Sequence, residues 1–158
     1  SKRAVKVLMV CLGNICRSPM AEGILRSKAK AKGLNIQVDS CGTASYHVGE
    51  RPDPRSIEKE KEYGIDISRL FGRQFSNEDF KAFDHILVMD KSNYMNIERQ
   101  ARSERDLAKV DFILNYINPD SDNYVPDPYY GGPEGFEKVF QLLDQACESF
   151  ISHHGNGK

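Results

Sequence analysis

A chain of 158 residues, 39% hydrophobic and 28% charged, has the size of one domain and a core that needs no metal or disulfide staple. Its 22 Lys+Arg balance 23 Asp+Glu, so no global basic field points to nucleic acid or an anionic membrane. No apolar run approaches the roughly 18 residues of a membrane span, and 4 Cys are too few and too irregularly spaced for a disulfide framework.

The basic start Ser1-Lys2-Arg3 leads through an apolar stretch straight into Gly13-Asn14. No cleavage pattern intervenes, so no signal peptide is read and a reducing cytoplasm is expected. Val5 to Val10 is β-branched and nearly continuous in apolar character, as a buried parallel strand should be. A short loop, Cys11 to Arg17, follows. Ser18-Pro19 reads as an N-cap and first helical position. Met20, Ala21, Ile24 and Leu25 give that helix an apolar stripe, and Gly33 ends it. Its other side carries Arg26, Lys28, Lys30 and Lys32, which reads as a solvated face.

Ile36 to Ser40 is a second strand. A Gly- and Pro-punctuated loop runs from Cys41 to Pro54, and a helix from about Ser56 to Tyr63 stops at Gly64. Ser76-Asn77-Glu78-Asp79 resembles a capping box before Phe80. His85 to Asp90 is a third strand, followed by a helix through about Ala101. Lys109 to Leu114 is a fourth strand. Residues Asn115 to Pro133 form a long loop rich in Pro, Asp, Gly and Tyr. The last helix repeats Phe136, Val139, Phe140, Leu143, Cys147, Phe150 and Ile151 on one face. The expected limits are a single domain over 1–153 and a frayed tail over 154–158.

Strands alternating with helices imply an α/β fold with a parallel sheet, and such sheets bind ligands beyond the carboxyl ends of their strands. The loop at Cys11 lies there. It has no G-x-x-x-x-G-K-[ST] and no G-x-G-x-x-G, so ATP or NAD binding is unsupported. It offers instead Cys11-Leu12-Gly13-Asn14-Ile15-Cys16-Arg17-Ser18 between a strand and a helix N-terminus. Loop amides and the helix dipole there favour a dianion, and such surroundings favour thiolate over thiol. Arg17 offers a planar fork for two phosphate oxygens. Ser18 can donate to the sulfur. A thiolate attacking phosphorus needs an acid for the leaving oxygen. Asp127, in Asp127-Pro128-Tyr129-Tyr130, is the candidate. Asp120 and Asp122 look like turn chemistry.

These two motifs resemble the low-molecular-weight protein-tyrosine phosphatases, over nearly the whole chain. The resemblance implies a single-domain, three-layer α/β fold with a four-stranded parallel sheet flanked by helices on both faces. It implies metal-free, cofactor-free hydrolysis of phosphotyrosine in proteins, releasing inorganic phosphate, by a monomer. Cys11 would form a phosphocysteine, Arg17 would hold the phosphoryl oxygens, and Asp127 would serve as acid and then base. Leu12, Gly13, Asn14, Ile15, Cys16 and Ser18 would bind phosphate. Ser40 would support the loop and Asp90 would steady Arg17. Tyr46, Tyr129 and Tyr130 would wall a slot deep enough for a phosphoaryl group, with His47 at its rim. Cys16 is either a resolving partner for Cys11 or a buried space-filler. Some members place a His where Arg69 stands, which leaves the support of Asn14 open.

Related enzymes share this loop. Arsenate reductases of the type need further redox cysteines, whose spacing Cys41 and Cys147 do not match. Protein-arginine phosphatases favour Thr in place of Ile15 and lack the paired tyrosines. A non-catalytic anion-binding or redox module would need no acid, and Asp127 speaks against it.

Overall fold

The structure is a computed structural model that describes residues 3–154. Val5–Cys11 forms strand β1, Ile36–Gly42 β2, His85–Val88 β3 and Val110–Phe112 β4. The order is β2-β1-β3-β4, with every pair parallel. Because β1 lies inside the sheet, both its faces must be covered. Val7, Met9 and Cys11 face one apolar cluster, and Leu8 and Val10 face the other.

The first cluster is closed by helices α1 (Arg17–Ala31) and α6 (Pro133–His154), with α2 (Pro54–Glu62) packed across both. The second is closed by α3 (Asp79–Ala82), α4 (Lys91–Gln100) and α5 (Glu104–Ala108), which bring Phe80, Ile97 and Leu107 into one cluster with Phe112. The result is the three-layer α/β arrangement. Fully burying a Leu, Met or Phe stabilises by about 1.5–3 kcal/mol, so the two clusters dominate the stability of the fold.

Several local readings change. Helix α1 starts at Arg17 with Cys16 in the capping position and no side-chain cap. Ser18 is therefore not the N-cap, because its hydroxyl is turned toward Cys11. The basic side of α1 is not simply solvated. Lys28 bridges Asp144 and Glu148 of α6, and Lys32 pairs with Glu148. Helix α2 starts at Pro54, capped by Asp53, whose carboxylate accepts from Arg55 N–H. The capping box at Ser76 is half made: Asp79 accepts from Ser76 N–H, but the helix has no side-chain cap. β4 ends at Phe112, and Ile113–Tyr116 turns as a 3-10 helix that carries Ile113 and Leu114 into the core. Glu104–Ala108 is helical, capped by Ser103, where no helix was expected. His153 and His154 end α6, with His154 Nε2 2.9 Å from Tyr116 Oη, and residues 155–158 lie outside the described residues.

Candidate active site

The loop after β1 and the start of α1 build a cradle around Cys11, which is 3% exposed. Its Sγ lies 3.0 Å from Ser18 Oγ and accepts the backbone N–H of Asn14 at 3.3 Å. Asn14 holds φ at 60°, in the left-handed region. That conformation costs an L-residue about 1–2 kcal/mol and persists only where its surroundings fix it. Three hydrogen bonds do so. Asn14 Nδ2 donates to Ser18 Oγ (2.8 Å) and Ser40 Oγ (3.0 Å), and Oδ1 accepts from Arg73 N–H (3.0 Å). Ser40 in turn donates to the buried Glu22 carboxylate at 2.6 Å. Burial raises the Glu22 carboxyl, against the hydrogen bonds from Ser40 and Arg26. The support of Asn14 left open by the sequence thus comes from the Arg73 backbone, while the Arg69 carbonyl accepts from Arg51.

Close approach at the cradle also depends on Gly42. A Cβ there would sit 2.6 Å from the Leu12 carbonyl oxygen, a distance no side chain tolerates. Thr43 and Ala44 then donate to the Cys11 and Leu12 carbonyls, tying the following loop to the cradle.

Arg17 is 3% exposed. Its Nη1 donates to Asp90 Oδ2 at 2.7 Å and to the Val125 carbonyl at 3.0 Å, while Nη2 lies 3.7 Å from Asp127 Oδ2. Asp90 also caps α4, accepting from Asn93 N–H and Ser92 Oγ–H. Burial alone would raise the Asp90 carboxyl. The hydrogen bonds from Arg17, Asn93 and Ser92 outweigh it and hold the carboxyl below its ordinary value. Asp127 uses one oxygen, Oδ1, to cap the turn Pro128–Tyr130 through Tyr129 N–H, which leaves Oδ2 toward Arg17.

One pocket gathers these groups. Cys11, Leu12, Gly13, Ile15, Cys16, Arg17, Tyr46, His47, Asp127, Tyr129 and Tyr130 line it, with Cys11, Cys16 and Arg17 buried and Leu12, Tyr46, Tyr129 and Tyr130 exposed. Tyr130 is 90% exposed and meets the pocket only at the rim. Asn14, Ser18, Ser40 and Asp90 lie behind the pocket lining and orient it. Cys16 is buried. Desolvation and the nearby Asp53 push its thiol up to about 12. The four cysteines carry free thiols. Among the described residues no group of three or more His, Cys, Asp or Glu is arranged to hold a metal ion. No helix there is long and apolar enough to cross a membrane.

Sequence reasoning missed Glu22, Arg73, Asp53 and the Val125 carbonyl. Glu22 carried a signal, a carboxylate between the buried Ala21 and Gly23. Arg73 carried none locally, because Asn14 and Asp39 lie far away in the chain and only Asp79 is near in sequence.

A family model for low molecular weight phosphotyrosine protein phosphatases matches residues 6–156. The chain belongs to that family. It is thereby an enzyme, a phosphatase of the phosphoric-monoester hydrolase class. A Schizosaccharomyces pombe phosphatase of the same description is 47% identical over 150 residues, covering 93% of this chain and 95% of its own. The crystal structure of YfkJ from Bacillus subtilis superposes with a TM-score of 0.89 at 37% identity, covering 96% and 95% of the two chains. The drosophila arginine phosphatase superposes with a TM-score of 0.88 at 36% identity, covering 95% and 98%. This phosphatase therefore has relatives named for two different side chains, tyrosine and arginine.

Proposed function

We propose that this phosphatase hydrolyses phosphotyrosine in proteins through a phosphocysteine, without a metal. The reading is carried by the convergence of Cys11, Arg17 and Asp127 on one pocket at the end of β1. Cys11 thiolate attacks phosphorus as the bond to the phenolic oxygen breaks, and protonated Asp127 delivers its proton to that oxygen. Asp127, now a carboxylate, takes a proton from water. The water oxygen attacks the phosphocysteine, the S–P bond breaks, and inorganic phosphate leaves with the thiolate restored. Arg17 and the loop amides carry the charge of the transferring phosphoryl group, as a metal does elsewhere. Asp90, kept ionised, fixes the guanidinium plane. Free-thiol chemistry of this kind suits a reducing compartment, the cytoplasm, and nothing in the mechanism needs a second subunit or nucleic acid.

Tyrosine is favoured over serine because the buried Cys11 shares its pocket with the more exposed Tyr46 and Tyr129, rings against which a phosphoaryl group can pack. Tyrosine is favoured over arginine by Ile15 in the pocket lining and the paired Tyr129 and Tyr130. Phosphotyrosine, phosphoserine and phosphoarginine peptides of one sequence, compared by kcat/KM, test this. The largest value is expected for phosphotyrosine, and a larger one for phosphoarginine overturns the assignment.

A further inference from the structure

Arg73 stands outside the pocket, yet it is held at more points than any loop residue needs for its own sake. Its guanidinium grips Asp79 with two nitrogens, at 3.1 and 3.0 Å, and Asp39 with Nε at 3.1 Å and Nη2 at 3.0 Å. Asp79 is buried at the start of α3, and Asp39 is half-exposed on β2. Between these anchors the Arg73 carbonyl accepts from Gly42 N–H at 2.8 Å, and its own N–H donates to Asn14 Oδ1 at 3.0 Å. Asn14 is the strained residue whose N–H meets Cys11 Sγ.

We propose that Arg73 is a positioning residue: clamped by Asp39 and Asp79, it holds Asn14 in its left-handed conformation and so aims the Asn14 N–H at the Cys11 sulfur. A side chain fixed by two carboxylates pins its backbone more firmly than an ordinary loop residue is pinned. A released Asn14 relaxes toward an ordinary conformation, and its N–H swings off the sulfur. Ser18 and Ser40 hold only the other end of the Asn14 amide. The inference rests on Cys11 being the nucleophile.

The test compares wild type with Arg73→Ala, Arg73→Lys and Asp39→Asn. Asp84→Asn, which breaks the Arg3–Asp84 pair at the far end of the sheet, is the stability control. Three quantities are read: kcat and KM for an aryl phosphate, the rate of Cys11 alkylation by iodoacetamide at pH 7, and the melting temperature. Small misplacements at a reacting centre can cost up to about a hundredfold. Arg73→Ala is expected to lower kcat by about tenfold to a hundredfold with KM little changed, and to slow alkylation in parallel. Arg73→Lys, which keeps the charge without the fork, is expected to recover part of both losses. Asp39→Asn should move both in the same direction by less. Asp84→Asn should lower the melting temperature alone. Should Arg73→Ala fail to fold, Arg73→Lys and Asp39→Asn decide. Losses of melting temperature with kcat and alkylation at wild-type values would overturn the proposal. A wild type that lacks aryl phosphatase activity but shows the alkylation effect would refute the functional reading and leave the positioning role standing.

Discussion

Glu60→Gln should remove a pH dependence of stability that one buried carboxyl builds into the wild-type protein. Glu60 is 0% exposed, and among the described residues neither of its oxygens has a hydrogen-bond partner. It lies on the face of α2 turned to α1, where the missing Cβ of Gly23 makes room for it: a Cβ there would sit 2.7 Å from Oε1. Ile65 and Ile67 border the same space. From α6 it faces Asp144 and Cys147, with Lys28 of α1 bound to Asp144. Desolvation, helped by the Asp144 charge, pushes the Glu60 carboxyl up to about 9. The folded protein therefore keeps this proton, while the unfolded chain releases it above its ordinary value near 4.5. Stability is highest below that value and falls as pH rises toward the folded value. The slope is about 1.4 kcal/mol per pH unit, so at pH 7 the loss is about 3 kcal/mol. That is a large share of the roughly 5–15 kcal/mol that holds a domain together. Urea unfolding of wild type and Glu60→Gln, at pH 5 and pH 8, reads it. The amide cannot ionise, though it is itself unpartnered at a cost of about 1–3 kcal/mol, so its stability at pH 5 does not decide. The change in the difference between the two proteins does, and about 4 kcal/mol is expected over three units. A difference that stays constant within about 1 kcal/mol would refute the reasoning.

Asp127→Ala should cost far more turnover with phenyl phosphates of high leaving-group pKa than with activated ones, and equal losses across the series would remove it as the acid. Asp90→Ala should lower kcat and also destabilise by about 1 kcal/mol through loss of the α4 cap, checked by steady-state kinetics and urea titration; unchanged kcat would deny it the role of aiming Arg17. For Cys16, hydrogen peroxide should convert Cys11 thiolate to the sulfenic acid. The Cys16 sulfur should then displace hydroxide to form a disulfide that dithiothreitol reduces. Because the Cys16 thiol is pushed up to about 12, the thiolate that closes the bond grows about tenfold per pH unit through neutrality, so closure should speed up toward alkaline pH. Recovery that is unaffected by Cys16→Ala would reduce Cys16 to a space-filler.

The parts of the site that sequence made legible are those whose partners lie nearby in the chain or in a stereotyped unit. Cys11 to Ser18 is one strand-loop-helix turn, and Asp127 carries its own Pro and Tyr neighbours. The alternation of strands and helices sufficed for the layers, and the α6 face followed from its period. What stayed hidden depends on distant packing. Ser18 looks like a helix cap because Ser-Pro is a good start signal, yet the nearby sulfur claims its hydroxyl. Glu60 sits among Glu58, Lys59, Lys61 and Glu62 and reads as another solvated charge until α2 docks on Gly23. Arg73 gains meaning only when residues 14, 39 and 79 are brought together.

A covalent phosphocysteine at Cys11 is the intermediate on which the mechanism turns. Rapid acid quench of the enzyme turning over a phosphotyrosine peptide, followed by mass spectrometry of the Cys11 peptide, tests it directly. A phosphoryl group on Cys11 that forms before phosphate release, and is absent with turnover abolished in Cys11→Ser, is the expected result. Wild-type turnover in Cys11→Ser, or hydrolysis with no phosphoryl group on any Cys11 peptide, would contradict the account.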